Sequence, residues 1–122
     1  MLINLSNHPY AQWGEEQRLA TEMFGECIDL PFPAIDPEGD EEYISRLSED
    51  YLQKILKLTA NFPKKEITIH LMGEMTFVFN LLKKLEMVNI RCIASTTVRK
   101  ETEFGNDKKE TQFNFVRFRY YY

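Results

Sequence analysis

The sequence predicts an α/β fold in which helices cover both faces of a mostly parallel sheet. Short apolar runs of strand length alternate with amphipathic stretches of helix length, and Gly or Pro residues mark most of the junctions. The resulting order, βαβαβαββ, requires right-handed crossovers between the parallel strands. We therefore expect the first strand in the middle of the sheet, a strand order of 2-1-3-4-5 and an antiparallel last strand.

The first strand is predicted for residues 2–6, which are short and apolar, as in a strand covered on both faces. A turn-rich loop follows over residues 7–14, and a helix is expected for residues 15–24, with Gly25 as its C-cap. The expected inward face of this helix consists of Leu19, Ala20, Met23 and Phe24. A second strand over residues 27–30 ends at a proline-rich loop.

Two further amphipathic segments flank the third strand. A long helix is predicted for residues 40–60, where apolar side chains recur at helical spacing. The third strand covers residues 67–72, and Gly73 lies in the turn that leads into a helix over residues 75–86.

The C-terminal part of the chain departs from this alternation. A fourth strand, residues 91–95, continues into an extended polar arm over residues 96–104. The Gly-Asn-Asp sequence at residues 105–107 indicates a turn, and residues 112–121 are rich in Phe, Val and Tyr, which favours a fifth strand. The pattern predicts a long C-terminal hairpin.

The composition fits one domain. Of 122 residues, 43% are apolar and 13% aromatic, enough for one core but not for two. We expect residues 1–122 to form a single folded domain rather than a disordered segment. The sequence shows neither a long apolar run nor a basic leader, which predicts no membrane association and a cytoplasmic protein.

The charge distribution indicates which ligands fit the protein, and the cysteines indicate its redox compartment. The net charge of −4 combines an acidic first half with a basic second half. Binding to long duplex nucleic acid needs a broad basic face, so we do not expect it, although a local pocket for a small anionic ligand stays open. Cys27 and Cys92 lie far apart in apolar stretches, which predicts free, buried thiols in a reducing compartment.

Polar residues follow three strands that are neighbours in the expected order. Ligands of such sheets bind beyond the carboxyl ends of the strands, at the switch point between strands one and three. The candidate ligand-binding residues at these ends and on the first helix are Ser6, Asn7, Trp13, Gln17, Gly73, Glu74, Met75, Ser95, Thr96 and Thr97. The candidate catalytic residues are His8 and Arg99.

Each candidate role for a residue on or after strands one and three has a structural alternative. His8 suits proton transfer or a hydrogen bond to phosphate, but it could instead cap the next helix or stack on Trp13. Trp13 could stack on a base or pack as a hydrophobic staple. Glu74 could contact a ligand or favour the helix N-terminus for dipole reasons, and His70 fits best as a hydrogen-bonded core residue.

The residues at the end of strand four and after it combine hydroxyl groups with a permanently charged hydrogen-bond donor. Ser95 and the threonines after it could bind phosphate or ribose oxygens, and Arg99 offers a forked cation, although threonines also suit a strand. Arg117 and Arg119 share one face of the last strand, where they could clamp phosphate or pair with acidic helices. No zinc spacing, nucleophile elbow or phosphate loop is present in the sequence, so we expect chemistry without a metal or other cofactor.

Four short motifs carry a resemblance to a known family. They are Asn4-Leu5-Ser6-Asn7-His8-Pro9 with Trp13 and Gln17, Met72-Gly73-Glu74-Met75-Thr76-Phe77, Ser95-Thr96-Thr97-Val98-Arg99, and Phe115-Val116-Arg117-Phe118-Arg119. They resemble small CRISPR-associated accessory proteins, and the opening Ser-x-His pattern resembles stand-alone ring nucleases of type III CRISPR systems. These are Rossmann-like, three-layer relatives of the CARF domain.

The resemblance implies a CARF-like domain that binds cyclic oligoadenylate and cleaves it without a metal, by attack of a ribose 2′-hydroxyl on the neighbouring phosphate. His8 would act as general acid or base, Arg99 would stabilise charge, and a homodimer would bind the symmetric ring. Two alternatives stay open: a module that senses or sequesters a nucleotide without cleaving it, and a subunit that docks on another protein.

Overall fold

The computed structural model describes residues 1–105 and 108–122, and in these residues five strands form one sheet in the order β2-β1-β3-β4-β5. The strands are β1 (Leu2–Leu5), β2 (Cys27–Asp29), β3 (Thr68–Leu71), β4 (Arg91–Phe104) and β5 (Lys108–Tyr120). The first four are parallel, and β5 runs antiparallel to β4. The predicted α/β class, strand order and strand directions are confirmed.

Three α-helices connect the strands in the described part of the chain. They are α1 (Glu15–Ala20), α2 (Glu41–Leu58) and α3 (Met75–Met87). Short 3₁₀ turns lie at Tyr10–Gln12, Thr21–Phe24 and Lys64–Glu66. None of the described helices is both long enough and apolar enough to cross a membrane.

The apolar core lies between the sheet and the pair α2 and α3. Both strands at the centre of the sheet contribute every second residue to it: Ile3 and Leu5 from β1, Ile69 and Leu71 from β3. The helices contribute Ile44, Tyr51, Leu52, Ile55, Phe77, Val78, Leu81 and Leu85. The helical spacing of apolar side chains in the sequence therefore identifies the buried faces of these two helices.

The first helix differs from its prediction. It is α-helical only to Ala20, and Thr21–Phe24 forms a 3₁₀ turn that Gly25 ends at a φ of 89°. Leu19 and Met23 were expected to face inward, but they are 55% and 79% exposed. The tighter turn changes which side chains face the sheet, and Thr21 is the residue buried there.

The hairpin of β4 and β5 is the longest element of the sheet. Its ladder runs from the pair Ile93–Tyr120 to the pair Phe104–Lys108, with an irregularity at Thr96 and Thr97. The predicted arm and hairpin are confirmed, although β5 begins earlier than the apolar pattern suggested, because β4 continues alongside it. The predicted turn at residues 105–107 lies partly outside the described residues.

Both cysteines are free, and burial determines their acidity. Cys92 is fully buried in the core, whereas Cys27 is half-buried at the edge strand. Loss of solvation raises the pKa of Cys27 to about 11 and that of Cys92 to about 12. Both thiols are therefore protonated at neutral pH.

Candidate functional site

A cleft of about 1190 Å³ opens at the carboxyl ends of β1 and β3 and along the middle of β4, at residues 95–100. The loop after β1, the start of α1 and the β4–β5 hairpin form its walls. This is the switch point between β1 and β3, where the sequence predicts the ligand site.

Most of the predicted site residues come together here. The cleft is lined by Ser6, Asn7, His8, Trp13, Gln17, Gly73, Ser95 and Thr97. Four predicted residues are not part of its lining: Glu74, Met75, Thr96 and Arg99.

Glu74 and Met75 lie outside the cleft, at the start of α3. The Glu74 carboxylate caps α3 by accepting hydrogen bonds from the backbone N–H groups of Thr76 and Phe77 at 3.0 and 2.9 Å. The Thr76 hydroxyl and these two N–H groups lower the pKa of Glu74. Met75 is 82% exposed and lines a smaller apolar cavity with Phe79 and Leu82.

Thr96 and Arg99 are occupied within the hairpin. The Thr96 hydroxyl bonds the backbone N–H and C=O of Arg117 at the strand irregularity. The Arg99 guanidinium pairs with the Glu101 carboxylate at 2.8 Å. Both residues therefore stabilise the local strand geometry.

Arg117 and Arg119 point away from the cleft. They stand opposite Thr96 and Ala94 on β4, whereas Ser95, which lines the cleft, stands opposite Phe118. Cross-strand partners share a face, so the two arginines lie on the other side of the sheet. Among the described residues, neither arginine forms an ion pair with a carboxylate of α1 or α2, so the predicted pairing with the acidic helices is not formed.

Beneath the cleft, a polar network joins three strands. The Asn4 amide nitrogen donates to the His8 carbonyl and to the Asp29 carboxylate, each at 2.8 Å. The Asn4 amide oxygen contacts the Ser6 hydroxyl at 2.8 Å and His70 Nδ1 at 2.9 Å. Asn4 thus uses its full hydrogen-bonding capacity within the fold.

His70 lies at the centre of this network. It is 2% exposed, and its Nε2 lies 2.7 Å from the Ser95 hydroxyl, which in turn accepts from Gln17 Nε2 at 3.0 Å. Burial, with a smaller contribution from the charge of nearby His8, lowers the pKa of His70 to about 4. The prediction of a hydrogen-bonded core histidine is confirmed, and the structure adds that His70 reaches the cleft wall.

The loop after β1 presents His8 to the cleft. Its carbonyl accepts from Asn4, from the Ser6 hydroxyl and from Trp13 Nε1, so the backbone is held at several points. The His8 side chain is exposed and makes no hydrogen bond to any other described residue. A fixed backbone with a free imidazole is suited to proton transfer to a ligand.

Trp13 packs rather than offering a stacking face. It is 5% exposed and meets the His70 ring edge-on, with the ring centroids 5.0 Å apart. The Phe118 ring also lies nearby, with the two ring centroids 6.1 Å apart. The packing alternative for Trp13 is therefore the one that the structure supports.

Sequence reasoning missed the wall formed by the hairpin. Phe113 and Phe115 line the cleft together with Lys100, and Phe113 is 67% exposed. Glu15 and Glu16 line the opposite side. Alternating Phe residues in a strand were the available signal, but their alignment with the cleft depends on the strand irregularity at Thr96 and Thr97.

In the part of the chain that the structure describes, no three His, Cys, Asp or Glu side chains gather in one place.

Comparison with known proteins identifies a family. Residues 1–119 match the family model described as "Uncharacterized protein MJ1673 family". The chain belongs to the MJ1673 family. No curated protein and no solved structure matches the chain.

Proposed function

We propose that this MJ1673-family protein binds cyclic oligoadenylate and cleaves it without a metal, as part of CRISPR antiviral defence in the cytoplasm. The proposal rests on the cleft at the switch point, where an exposed histidine, amide and hydroxyl groups and the exposed Phe113 line one cavity. The resemblance of the cleft motifs to ring nucleases supplies the substrate class.

The size of the cleft suits a ligand larger than one nucleotide. Pockets for drug-sized ligands measure roughly 300–1,000 Å³, and this cleft reaches about 1190 Å³. Phe113 offers an exposed aromatic surface on which an adenine can stack. Lys100 provides a cation for a phosphate, while Asn7 and Thr97 provide uncharged hydrogen-bonding groups.

The reaction needs only groups that the cleft presents. A ribose 2′-oxygen attacks the adjacent phosphorus, the bond to the 5′-oxygen breaks, and a 2′,3′-cyclic phosphate and a 5′-hydroxyl result. His8 either accepts the 2′-hydroxyl proton or donates a proton to the leaving 5′-oxygen. Because nucleophile and electrophile belong to the same ligand, correct orientation provides much of the acceleration.

A homodimer follows from the symmetry of the ligand. A ring with rotational symmetry is matched by a two-fold assembly in which each copy contributes a cleft. Met72 and Gly73 line both the cleft and the neighbouring apolar cavity, which includes Phe79. An apolar surface therefore continues from the rim of the cleft, where a second copy would pack.

The test is incubation of the purified protein with cyclic tri-, tetra- and hexa-adenylate in EDTA, followed by liquid chromatography with mass detection. Linear products with cyclic phosphate ends are expected, and His8→Ala should lower turnover at least 100-fold while retaining binding. Thr97→Ala should weaken binding, with Thr102→Ala on the same strand as a control outside the cleft.

Intact rings would overturn the cleavage proposal. If the rings still bind, measured by calorimetry, a nucleotide-sensing module is the better description. If no ring binds, the substrate class itself is wrong.

A further inference from the structure

Three side chains beneath the cleft form a continuous hydrogen-bonded line across three neighbouring strands. Ser95 on β4 contacts His70 Nε2 at 2.7 Å, and His70 Nδ1 on β3 contacts Asn4 Oδ1 on β1 at 2.9 Å. Ser95 and His70 both line the cleft.

The hydrogen bonds of Asn4 determine its orientation. A carbonyl and a carboxylate can only accept, so the Asn4 group that faces His8 O and Asp29 Oδ1 must be its NH₂. The oxygen of Asn4 therefore faces His70, and His70 Nδ1 must carry the proton that it donates to Asn4.

This tautomer fixes the remaining contacts. With Nδ1 protonated and the imidazole neutral, Nε2 carries a lone pair and accepts the hydrogen of the Ser95 hydroxyl. Gln17 Nε2 then donates to Ser95 Oγ at 3.0 Å, in agreement with its observed direction. A further lone pair of Ser95 Oγ is left over, and Ser95 is half-buried at the cleft wall.

We propose that Ser95 is a catalytic nucleophile for ester substrates, with His70 as its general base and Asn4 as the residue that positions His70. A hydroxyl within hydrogen-bonding distance of a base, itself oriented by a third group, is the arrangement that activates serine in covalent catalysis. This activity is independent of ring cleavage by His8, in which no covalent bond to the protein forms.

Acyl transfer at this site requires only these three residues and water. Ser95 Oγ forms a bond to the ester carbonyl carbon while its proton moves to His70 Nε2. The bond to the alcohol oxygen then breaks, and His70 returns the proton to that oxygen. Water releases the acyl group from Ser95 by the same route, and the second N–H of the Gln17 amide is available to the carbonyl oxygen.

An ester carbonyl suits this site because it is uncharged. Attack on it does not bring Ser95 Oγ toward an anion, whereas attack on a phosphodiester does. The lowered pKa makes His70 a weak base, so the site is restricted to electrophiles more reactive than a phosphodiester, such as activated esters.

The test combines p-nitrophenyl acetate hydrolysis with labelling by a fluorophosphonate and peptide mass mapping. One label on Ser95 is expected, and Ser95→Ala should abolish both label and hydrolysis. His70→Gln should slow labelling at least 100-fold. Thr102→Ala, an exposed hydroxyl on the same strand, should leave both unchanged.

The pH profile separates catalysis from a structural role. The labelling rate should be constant from neutral pH down to about 5 and fall as His70 protonates near its pKa of about 4. A folded protein that gains no label on Ser95, or whose label forms equally fast in His70→Gln, would overturn the proposal. Circular dichroism of Ser95→Ala and His70→Gln verifies that the variants are folded.

Discussion

Successive residues of β1 and β3 point to opposite faces of the sheet, and the two faces differ in chemistry. Ile3 and Ile69 belong to the apolar core under α2 and α3. Asn4 and His70, one position later in each strand, belong to the polar network under the cleft. Both faces are buried, so the comparison shows that burial alone does not distinguish packing from chemistry in this sheet.

The two faces are stabilised in different ways. The core face stabilises the fold because its apolar side chains are removed from water. The cleft face is stable only because its polar groups are paired, and in the described residues no buried side-chain nitrogen or oxygen lacks a partner. Changes on the core face should therefore alter stability alone, whereas changes on the cleft face should alter stability, pH dependence and function together.

The largest expected effect is on the core face. Phe77 is fully buried between the rings of Phe32 and Tyr51, with centroids 5.2 and 5.5 Å away. Phe77→Ala should lower the free energy of unfolding by about 3–5 kcal/mol, measured by urea denaturation. Met87→Ala, on the same helix but 84% exposed and outside both cavities, should change it by less than about 0.5 kcal/mol.

The next effect concerns the cleft face and depends on pH. His70 has a pKa of about 4 in the fold, below its ordinary 6.5, so the unfolded chain binds the proton more tightly. The free energy of unfolding is therefore highest above pH 6.5. It falls by a total of about 3 kcal/mol as the pH falls toward 4. Urea midpoints of the protein and of His70→Gln from pH 7 to 4 should converge; parallel curves would contradict the assignment.

A smaller effect tests the end of a core helix. The Asp40 carboxylate accepts from the Tyr43 N–H at 2.9 Å and caps α2. Asp40→Ala should cost about 1 kcal/mol in thermal or urea unfolding. Asp50→Ala removes an equal charge from the exposed side of α2 and serves as its control. Equal effects of the two would show that charge rather than capping matters.

The smallest effect is expected at an exposed ion pair. Arg99 and Glu101 are both largely exposed, so Arg99→Ala should change the free energy of unfolding by less than about 0.5 kcal/mol. Arg99→Ala should also leave the affinity for cyclic oligoadenylate unchanged, whereas Lys100→Ala, at the cleft, should weaken it. A loss of binding in Arg99→Ala would return this arginine to the site.

The strand order and the position of the cleft could be predicted because they follow from local patterns and a chirality rule. Apolar runs identify the strands, and right-handed crossovers order them. The ion pair of Arg99 could also have been predicted, because residues two apart in a strand share a face and Glu101 lies two positions later. The position of Phe113 in the cleft wall could not be predicted, because it depends on a strand irregularity that has no sequence signature.

The network beneath the cleft was not visible in the sequence either. The hydrogen bonds among Asn4, Gln17, His70 and Ser95 join residues that are 25 to 78 positions apart, and no spacing rule connects them. The first helix was mispredicted because its apolar spacing was interpreted as a regular α-helix, whereas Thr21–Phe24 forms a 3₁₀ turn in which Thr21 is buried and Met23 is exposed.

These long separations have a consequence for the order of folding. Helices such as α2 close only local loops and form rapidly, whereas contacts between distant parts of a chain must first overcome the entropy of loop closure. The contact between Gln17 and Ser95 spans 78 residues and requires β1, β3 and β4 to be aligned already. The core contains Ile3 and Ile69 from the same strands, so the core and the cleft are completed together, and ligand binding reports completion of the sheet.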